Sequence, residues 1–200
     1  EHLGGTCVNT GCTPTKTMVA SARVAYLARR AGDYGVRVPS VSVDMAAVRA
    51  RKRAIVERFR NYSTDKLQRT ESLSLLFGSA SFVDPSTVDV KLNGGGTRRL
   101  RAHSIVINTG GRPLVPQIPG LESVPYLDST SVMELQDLPR HLVVIGGGYI
   151  GLEFGQMYRR FGSEVTIVQR GARVVEREDP DISDAVRRTL EQDGIRIDTE

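Results

Sequence analysis

A glycine-rich run between two apolar segments constrains the fold of this chain more than any other feature. Gly146, Gly148 and Gly151 have the spacing GxGxxG within the run LVVIGGGYIGLEFG. An apolar strand pattern precedes the glycines, an amphipathic helix pattern follows them, and a second strand pattern comes next. The first glycine permits a tight turn, the second admits a pyrophosphate, and the third lets the helix pack on the strand. The run predicts a dinucleotide-binding unit; a glycine-rich turn without a ligand is the alternative.

Strand and helix patterns alternate along the rest of the chain, which indicates an α/β fold. Thr13 is the predicted cap of the first helix, and Gly94–Gly96 is the predicted tip of a hairpin. The predicted helices cover 14–30, 45–69, 150–161 and 180–193, and the predicted strands cover 74–77, 81–84, 88–92, 104–108, 142–145, 164–168 and 195–199.

Five prolines within 112–140 predict a crossover between two domains. We place the first domain at 1–122 and the second at 123–200. The second begins a βαβ pattern that stops at its third strand, so we expect a fragment with two incomplete domains. No apolar run is long enough to span a membrane and no signal peptide is recognisable, which predicts a cytoplasmic protein. The net charge of +4 is too small to indicate nucleic acid, and the basic helix over 49–60 is interpreted as a solvated face.

Cys7 and Cys12 are the two cysteines of the chain, and four residues separate them. Closing so short a loop removes little entropy from the unfolded chain, so the pair is poorly placed as a structural disulfide. A close pair without secretion features indicates redox or metal chemistry. Two cysteines are half of a zinc ligand set and the three histidines have no ligand spacing, so no metal site is predicted.

The segment GGTCVNTGCTPTK, residues 4–16, resembles the redox-active disulfide motif of the class I pyridine nucleotide–disulfide oxidoreductases. The Thr109-Gly110 pair and the run GGGYIGLE follow in the order typical of that FAD-dependent family. The resemblance covers essentially the whole chain, and the segment 169–181 is most similar to mercuric reductase-like members. It implies an α/β fold of two Rossmann-like, three-layer domains that bind FAD and NAD(P), both of them incomplete here.

The resemblance assigns roles to five side chains. Cys7 is the implied interchange thiol, and Cys12 is the implied flavin-proximal thiol at a helix start, where a thiolate is favoured. Lys16 is implied near the flavin N5, paired with Glu153; a surface lysine and an unrelated glutamate are the alternative. Tyr149 is the implied cover of the flavin, which the nicotinamide displaces; packing on the sheet is the alternative.

Cofactor contacts follow from the same resemblance and from the end of the second strand. Strands of this type usually end in an acid that holds the ribose of NAD, but here Gln169 is followed by Arg170 and Arg173, which favours NADP over NAD. The implied FAD contacts are Gly5, Thr6, Lys16, Gly78, Ala80, Thr109, Gly110 and Glu153, and the implied NAD(P) contacts are Gly146, Gly148, Tyr149, Gly151, Gln169, Arg170 and Arg173.

The predicted function is electron transfer from NAD(P)H through FAD to the Cys7–Cys12 disulfide and on to a small-molecule or metal-ion substrate. Hg(II) is one acceptor, and a lipoamide- or glutathione-type disulfide is the alternative. The alternative to an enzyme is a nucleotide-binding module that senses redox state without turnover. The resemblance implies a homodimer of the full-length protein, whose partner subunit supplies a His–Glu acid–base pair. By this resemblance the chain lacks the C-terminal dimerisation domain that supplies the pair, and it lacks the family's N-terminal GxGxxG. We therefore expect weak FAD binding and no turnover by this segment alone.

Overall fold

Two three-stranded sheets, five α-helices and three short 3₁₀ helices form the regular structure in our computed structural model, which describes residues 2–200. The helices are α1 (Gly5–Asn9), α2 (Cys12–Arg29), α3 (Met45–Gln68), α4 (Tyr149–Phe161) and α5 (Pro180–Gln192). The strands are β1 (Gly78–Asp84), β2 (Thr87–Leu92), β3 (Thr97–Arg101), β4 (His141–Ile145), β5 (Glu164–Val168) and β6 (Arg196–Asp198).

The parallel sheet follows its sequence prediction closely. Its order is β4-β5-β6, with His141 opposite Glu164 and Ile167 opposite Ile197. Val165 and Ile167 alternate with less buried residues along β5, so one face of the strand meets α4. α5 returns the chain to β6, which gives the β–α–β alternation of a dinucleotide-binding unit.

The antiparallel sheet has the order β1-β2-β3 and is built from two hairpins. The predicted tip over 94–96 is confirmed, because Gly95 and Gly96 have φ values of 97° and 78° between β2 and β3. The strand predicted over 74–77 is wrong. These residues precede β1, which begins at Gly78 and pairs with Leu92.

The strand predicted over 104–108 is also wrong. The segment has no regular structure, and Val106 and Ile107 are exposed. No strand lies beside it within residues 2–200, so its backbone groups have no ladder to join. An apolar run indicates a strand only where a neighbouring strand accepts its hydrogen bonds.

α2 and α3 differ in how they begin. α2 begins at Cys12 with Gly11 at the N-cap, so the predicted cap at Thr13 is wrong. Thr13 lies inside the first turn, where its carbonyl accepts a hydrogen bond of 2.8 Å from the Thr17 hydroxyl. α3 begins as predicted: the Asp44 carboxylate caps it by accepting a hydrogen bond from the Ala47 N–H at 3.0 Å.

One apolar core joins α2, α4 and the parallel sheet. Met18 and Ala22 of α2 pack in the same buried cluster as Met157 and Tyr158 of α4. The Tyr158 hydroxyl donates to the Val132 carbonyl at 2.5 Å, and burial raises the pKa of Tyr158 to about 12. The cluster therefore includes residues from both predicted domains, and the boundary between 122 and 123 stays a prediction.

Candidate functional site

The glycine turn has the geometry that a dinucleotide-binding loop requires. Gly146 has a φ of 107°, which other residues rarely adopt, and its N–H donates to the Val168 carbonyl at 2.8 Å. A Cβ on Gly151 would lie 2.2 Å from the Gly146 carbonyl oxygen, so the helix approaches the turn more closely than any side chain allows. A Cβ on Gly148 would meet no atom within 4 Å. Gly148 thus leaves open space beside the N–H groups that begin α4.

The loop over 169–179 is fastened to this turn through both backbone groups of Gly147. The Gly147 N–H donates to Gln169 Oε1 at 2.8 Å, and the Gly147 carbonyl accepts from the Val175 N–H at 2.8 Å. Val175 has a φ of 43°, a conformation that costs a β-branched residue about 1–3 kcal/mol. The loop therefore holds a strained backbone in order to reach the glycine turn.

Two predicted NADP ligands and one unexpected carboxylate lie on this loop. Arg170 and Arg173 are exposed and form neither a hydrogen bond nor an ion pair within the part of the chain described. Gln169 Nε2 donates to Glu176 Oε1 at 3.0 Å. Glu176 was not foreseen from the sequence, because it lies seven residues beyond Gln169, the position at which an acid is expected.

Tyr149 is the first residue of α4 and 61% exposed. Its hydroxyl donates to the Glu178 carboxylate, and this bond raises the pKa of Tyr149 above its ordinary value. Glu178 therefore fixes the direction of the tyrosine side chain, a contact that the sequence analysis missed. The proposed contact between Tyr149 and a flavin stays a prediction.

Cys7 and Cys12 lie on consecutive helices as exposed free thiols. Cys7 belongs to α1, and Cys12 is the first residue of α2. The pKa of Cys7 is raised, first because its thiol hydrogen-bonds to Cys12 and also because a charge on Cys12 would repel a second thiolate. The contact with Cys12 therefore opposes ionisation of the Cys7 thiol.

An asparagine between the two cysteines anchors the first helix. Asn9 Nδ2 donates to the carbonyls of Leu3 and Gly5, each at 2.9 Å, and Asn9 Oδ1 accepts from Arg60 Nε at 2.8 Å. Gly5, which has a φ of 57°, and Thr6 are both exposed in α1. Asn9 could not be singled out from the sequence, because its partner Arg60 lies 51 residues away.

An ion pair joins the cysteine helix to the glycine helix. Lys16 lies one turn after Cys12 on α2, and its ammonium pairs with the Glu153 carboxylate on α4. α2 and α4 also share the apolar core, so the two motifs are held together by packing as well as by charge. The structure thereby brings together two candidate residues that are 137 positions apart.

The basic segment 49–60 of α3 is less exposed to solvent than its sequence predicts. Lys52 is 3% exposed; its ammonium pairs with Glu134 and donates to the Met133 carbonyl at 2.8 Å. Arg51 donates to the Thr17 carbonyl at 2.7 Å. The interpretation of 49–60 as a solvated face is therefore wrong for Lys52, whose acidic partner lies too far along the chain for a local pattern to show it.

The remaining predicted FAD contacts lie elsewhere on the surface. Gly78 and Ala80 belong to β1, and a Cβ on Gly78 would lie 2.3 Å from the Lys91 carbonyl oxygen of β2. Thr109 and Gly110 are exposed without regular structure. Within residues 2–200, no side-chain hydrogen bond ties these four residues to the cysteine or glycine motifs. In that same range no group of three or more potential metal ligands occurs, and no helix is long and apolar enough to cross a membrane.

The model of the pyridine nucleotide-disulphide oxidoreductase family matches residues 1–200. This chain belongs to that family. It is 40% identical over 195 residues to a mercuric reductase of Lysinibacillus sphaericus, covering 98% of this chain and 35% of that protein. It is 34% identical over 199 residues to a dihydrolipoyl dehydrogenase of Chlamydia trachomatis serovar D, covering 98% of this chain and 42% of that protein.

A solved structure agrees with the family assignment. The HOCl-induced flavoprotein disulfide reductase RclA from Escherichia coli superposes with a TM-score of 0.81 at 34% identity, covering 98% of this chain and 40% of that one. The present chain thus spans 35% and 42% of the two curated relatives named above. The resemblance inferred from the cysteine and glycine motifs is confirmed, and so is the Rossmann-like α/β fold.

For an oxidoreductase of this family, the site divides into two clusters. The first, which we call the thiol cluster, consists of Cys7, Cys12 and the Lys16–Glu153 ion pair. The second, which we call the nucleotide cluster, consists of the glycine turn and the loop over 169–179. α4 carries Glu153 of the first and begins at the turn of the second, so it connects the two.

Proposed function

We propose that this chain is the part of a flavoenzyme that passes electrons from a pyridine nucleotide to the Cys7–Cys12 pair and then to a substrate. The observation that carries this proposal is the ion pair between Lys16 and Glu153, because it fixes the thiol cluster against the helix of the nucleotide cluster. The open space at Gly148 and the close approach at Gly151 suit a bound dinucleotide. FAD, when bound, supplies the two-electron chemistry between a hydride donor and a disulfide.

The two cysteines have different roles in this proposal. Cys12 occupies the first position of an 18-residue helix, where free N–H groups and the helix dipole stabilise a sulfur anion. The contact with Cys12 raises the pKa of the Cys7 thiol and so disfavours its thiolate. Cys7 must lose its proton before it attacks a substrate, which requires a base. We propose that a further domain, supplied by the partner subunit of a homodimer, provides that base.

Lys16 and Tyr149 are the proposed flavin neighbours. Lys16 supplies a positive charge beside the flavin N5, and Glu153 holds the lysine side chain in place. Tyr149 covers the position that the nicotinamide takes, and Glu178 fixes its hydroxyl. These roles require that FAD binds across α2 and α4, with Gly5, Thr6, Gly78, Ala80, Thr109 and Gly110 as further contacts.

NADPH is the proposed electron donor, with NADH as the alternative. Two exposed guanidinium groups, those of Arg170 and Arg173, are free to bind a 2′-phosphate. The cytoplasm is the proposed location, because a reactive thiol pair operates in a reducing compartment.

Hg(II) is the first candidate acceptor, because relatives named mercuric reductase are 40% and 39% identical to this chain. Its reduction to Hg(0) takes the two electrons that one NADPH supplies, and NADP⁺ and a proton are released. A small disulfide is the second candidate, on the strength of the dihydrolipoyl dehydrogenase relative.

The test uses the full-length, FAD-loaded protein that carries this chain. Anaerobic addition of NADPH should produce a long-wavelength absorption band from a thiolate beside the flavin. Cys12→Ala should abolish this band and Cys7→Ala should retain it, since only Cys12 is proposed to face the flavin. A band that persists in Cys12→Ala contradicts the assigned roles. Nucleotide binding without flavin reduction would indicate a sensing module instead. Turnover with Hg(II), lipoamide and glutathione disulfide then identifies the acceptor.

A further inference from the structure

Glu176 places a carboxylate beside the end of β5, where the sequence itself has an amide. Gln169 Nε2 donates to Glu176 Oε1 at 3.0 Å, and Gln169 Oε1 accepts from the Gly147 N–H at 2.8 Å. One amide side chain therefore connects the glycine turn to the carboxylate. The acid that is missing from position 169 is supplied from seven residues further along the chain.

The fold keeps space for this carboxylate. A Cβ on Gly171 would lie 1.4 Å from Glu176 Oε1, so any other residue at position 171 would displace the Glu176 side chain. The backbone before Glu176 is fixed as well, because Val174 is fully buried and the Val175 N–H donates to the Gly147 carbonyl at 2.8 Å. The position of Glu176 thus follows from buried neighbours on one side and from a hydrogen bond on the other.

A carboxylate at this place affects which nucleotide can bind. In dinucleotide-binding folds, an acid at the end of the second strand accepts hydrogen bonds from the ribose hydroxyls, and a guanidinium accommodates a 2′-phosphate. Here both groups are present, because the exposed Arg170 and Arg173 lie on the same loop as Glu176. The carboxylate repels a 2′-phosphate and the two arginines attract it.

We propose that Glu176 is the residue that binds the adenosine ribose of the pyridine nucleotide, so that the site uses NADH as well as NADPH and discriminates weakly between them. This inference rests on the proposed function and deepens it. Glu178, the neighbouring acid of the loop, has a different partner because it accepts from the Tyr149 hydroxyl. Glu178→Gln is therefore the matched control, as it removes a carboxylate from the same loop without changing the Gln169 contact.

Two readouts in the full-length, FAD-loaded protein test the role of Glu176. The first is the ratio of kcat/KM for NADPH to kcat/KM for NADH. The second is the pair of dissociation constants for 2′,5′-ADP and 5′-AMP, probes that differ only in the 2′-phosphate. Glu176→Gln should raise the kinetic ratio about tenfold. It should also strengthen the binding of 2′,5′-ADP and weaken the binding of 5′-AMP. Glu178→Gln should leave the preference for 2′,5′-ADP over 5′-AMP unchanged.

The outcomes separate this inference from the function on which it rests. If Glu176→Gln weakens the binding of both probes equally, Glu176 has a structural role and the inference is overturned. An unchanged ratio of kcat/KM for NADPH to kcat/KM for NADH would overturn it as well. If the unsubstituted protein oxidises neither nucleotide, the proposed function fails. The binding of 2′,5′-ADP and 5′-AMP still decides the role of Glu176 in that case.

Discussion

Two five-residue segments of this chain are equally apolar but have opposite environments. β5 has the sequence EVTIV, and its Ile167 is 0% exposed. The segment over 104–108 has the sequence SIVIN, and its Val106 is 87% exposed. β5 lies between β4 and β6 and beneath α4, whereas no strand of the described residues lies beside 104–108. Apolar composition gives a segment the capacity for burial, and its neighbours decide whether burial occurs.

The largest expected effect comes from truncating one residue in each segment. Ile167→Ala should lower the free energy of unfolding of this chain by about 2–5 kcal/mol, because it opens a cavity under α4. Val106→Ala should change it by less than about 0.5 kcal/mol, because the side chain already contacts water. Urea denaturation followed by circular dichroism measures both. A substantial loss at Val106 would mean that a partner covers the segment and would break the comparison.

A second pair of variants applies the comparison to the glycine turn. Gly151→Ala should cost about 1–3 kcal/mol, because its Cβ would lie 2.2 Å from the Gly146 carbonyl oxygen and the backbone must shift. Gly148→Ala should leave the unfolding free energy nearly unchanged, since its Cβ meets open space. It should nevertheless weaken NAD(P)H binding, measured by calorimetry, if a pyrophosphate occupies that space. Equal stability losses at both positions would contradict this assignment.

A third pair of variants compares a buried and an exposed basic residue that both pair with Glu134. Lys52→Met should cost about 1–2 kcal/mol, less than a fully buried pair, because Glu134 is half-exposed and retains Arg53. Arg53→Met should cost less than about 0.5 kcal/mol, because the arginine is exposed. Urea denaturation again measures the difference, and a larger cost for Arg53→Met than for Lys52→Met would contradict it.

The Lys52 effect should depend on pH. Burial opposes ionisation of Glu134, but the hydrogen bonds from Lys52 and Arg53 outweigh it and hold the pKa of that carboxyl below its ordinary value. Its ion pairs therefore stabilise the fold above the unfolded-state pKa and are lost as the pH falls through the lower, folded-state pKa. The cost of Lys52→Met should shrink over that acidic range, and a pH-independent cost would assign the effect to packing alone.

A small effect on stability is also expected at Lys16. Lys16→Met should change the free energy of unfolding by less than about 1 kcal/mol, because the Lys16 side chain is 67% exposed and water screens its pair with Glu153. Its effect should appear instead in the rate of flavin reduction by NADPH, measured by anaerobic stopped flow. A large loss of stability without a change in that rate would make the pair structural.

Local sequence patterns predicted the parts of the fold whose partners are close in the chain. The unit from β4 to β5 was predictable because the strand and helix periods surround a glycine turn, and the hydrogen bonds of that turn join residues fewer than 30 positions apart. The start of α2 was misplaced because both Gly11 and Thr13 can precede a helix. The strand over 104–108 was predicted wrongly because an apolar run contains no information about which strands lie beside it.

The candidate site was predictable where the family resemblance named residue pairs. It gave Lys16 and Glu153, which periodicity alone could not have connected. Glu176 and Glu178 were missed because each forms a hydrogen bond that depends on the geometry of its loop. Asn9 was missed because its partner Arg60 lies 51 residues away on another helix. Lys52 was missed because a buried lysine and a solvated one look alike within a basic helix.

The shared core of α2 and α4 has a consequence for recombination between relatives. Met18 and Ala22 before the predicted domain boundary pack with Met157 and Tyr158 after it. A chimera that joins residues 1–122 of one family member to the second unit of another would mismatch this interface wherever the two parents differ in side-chain size. If the loop over 169–179 sets nucleotide preference, as proposed above, exchanging that loop alone would transfer the preference and leave the contact between the two helices intact.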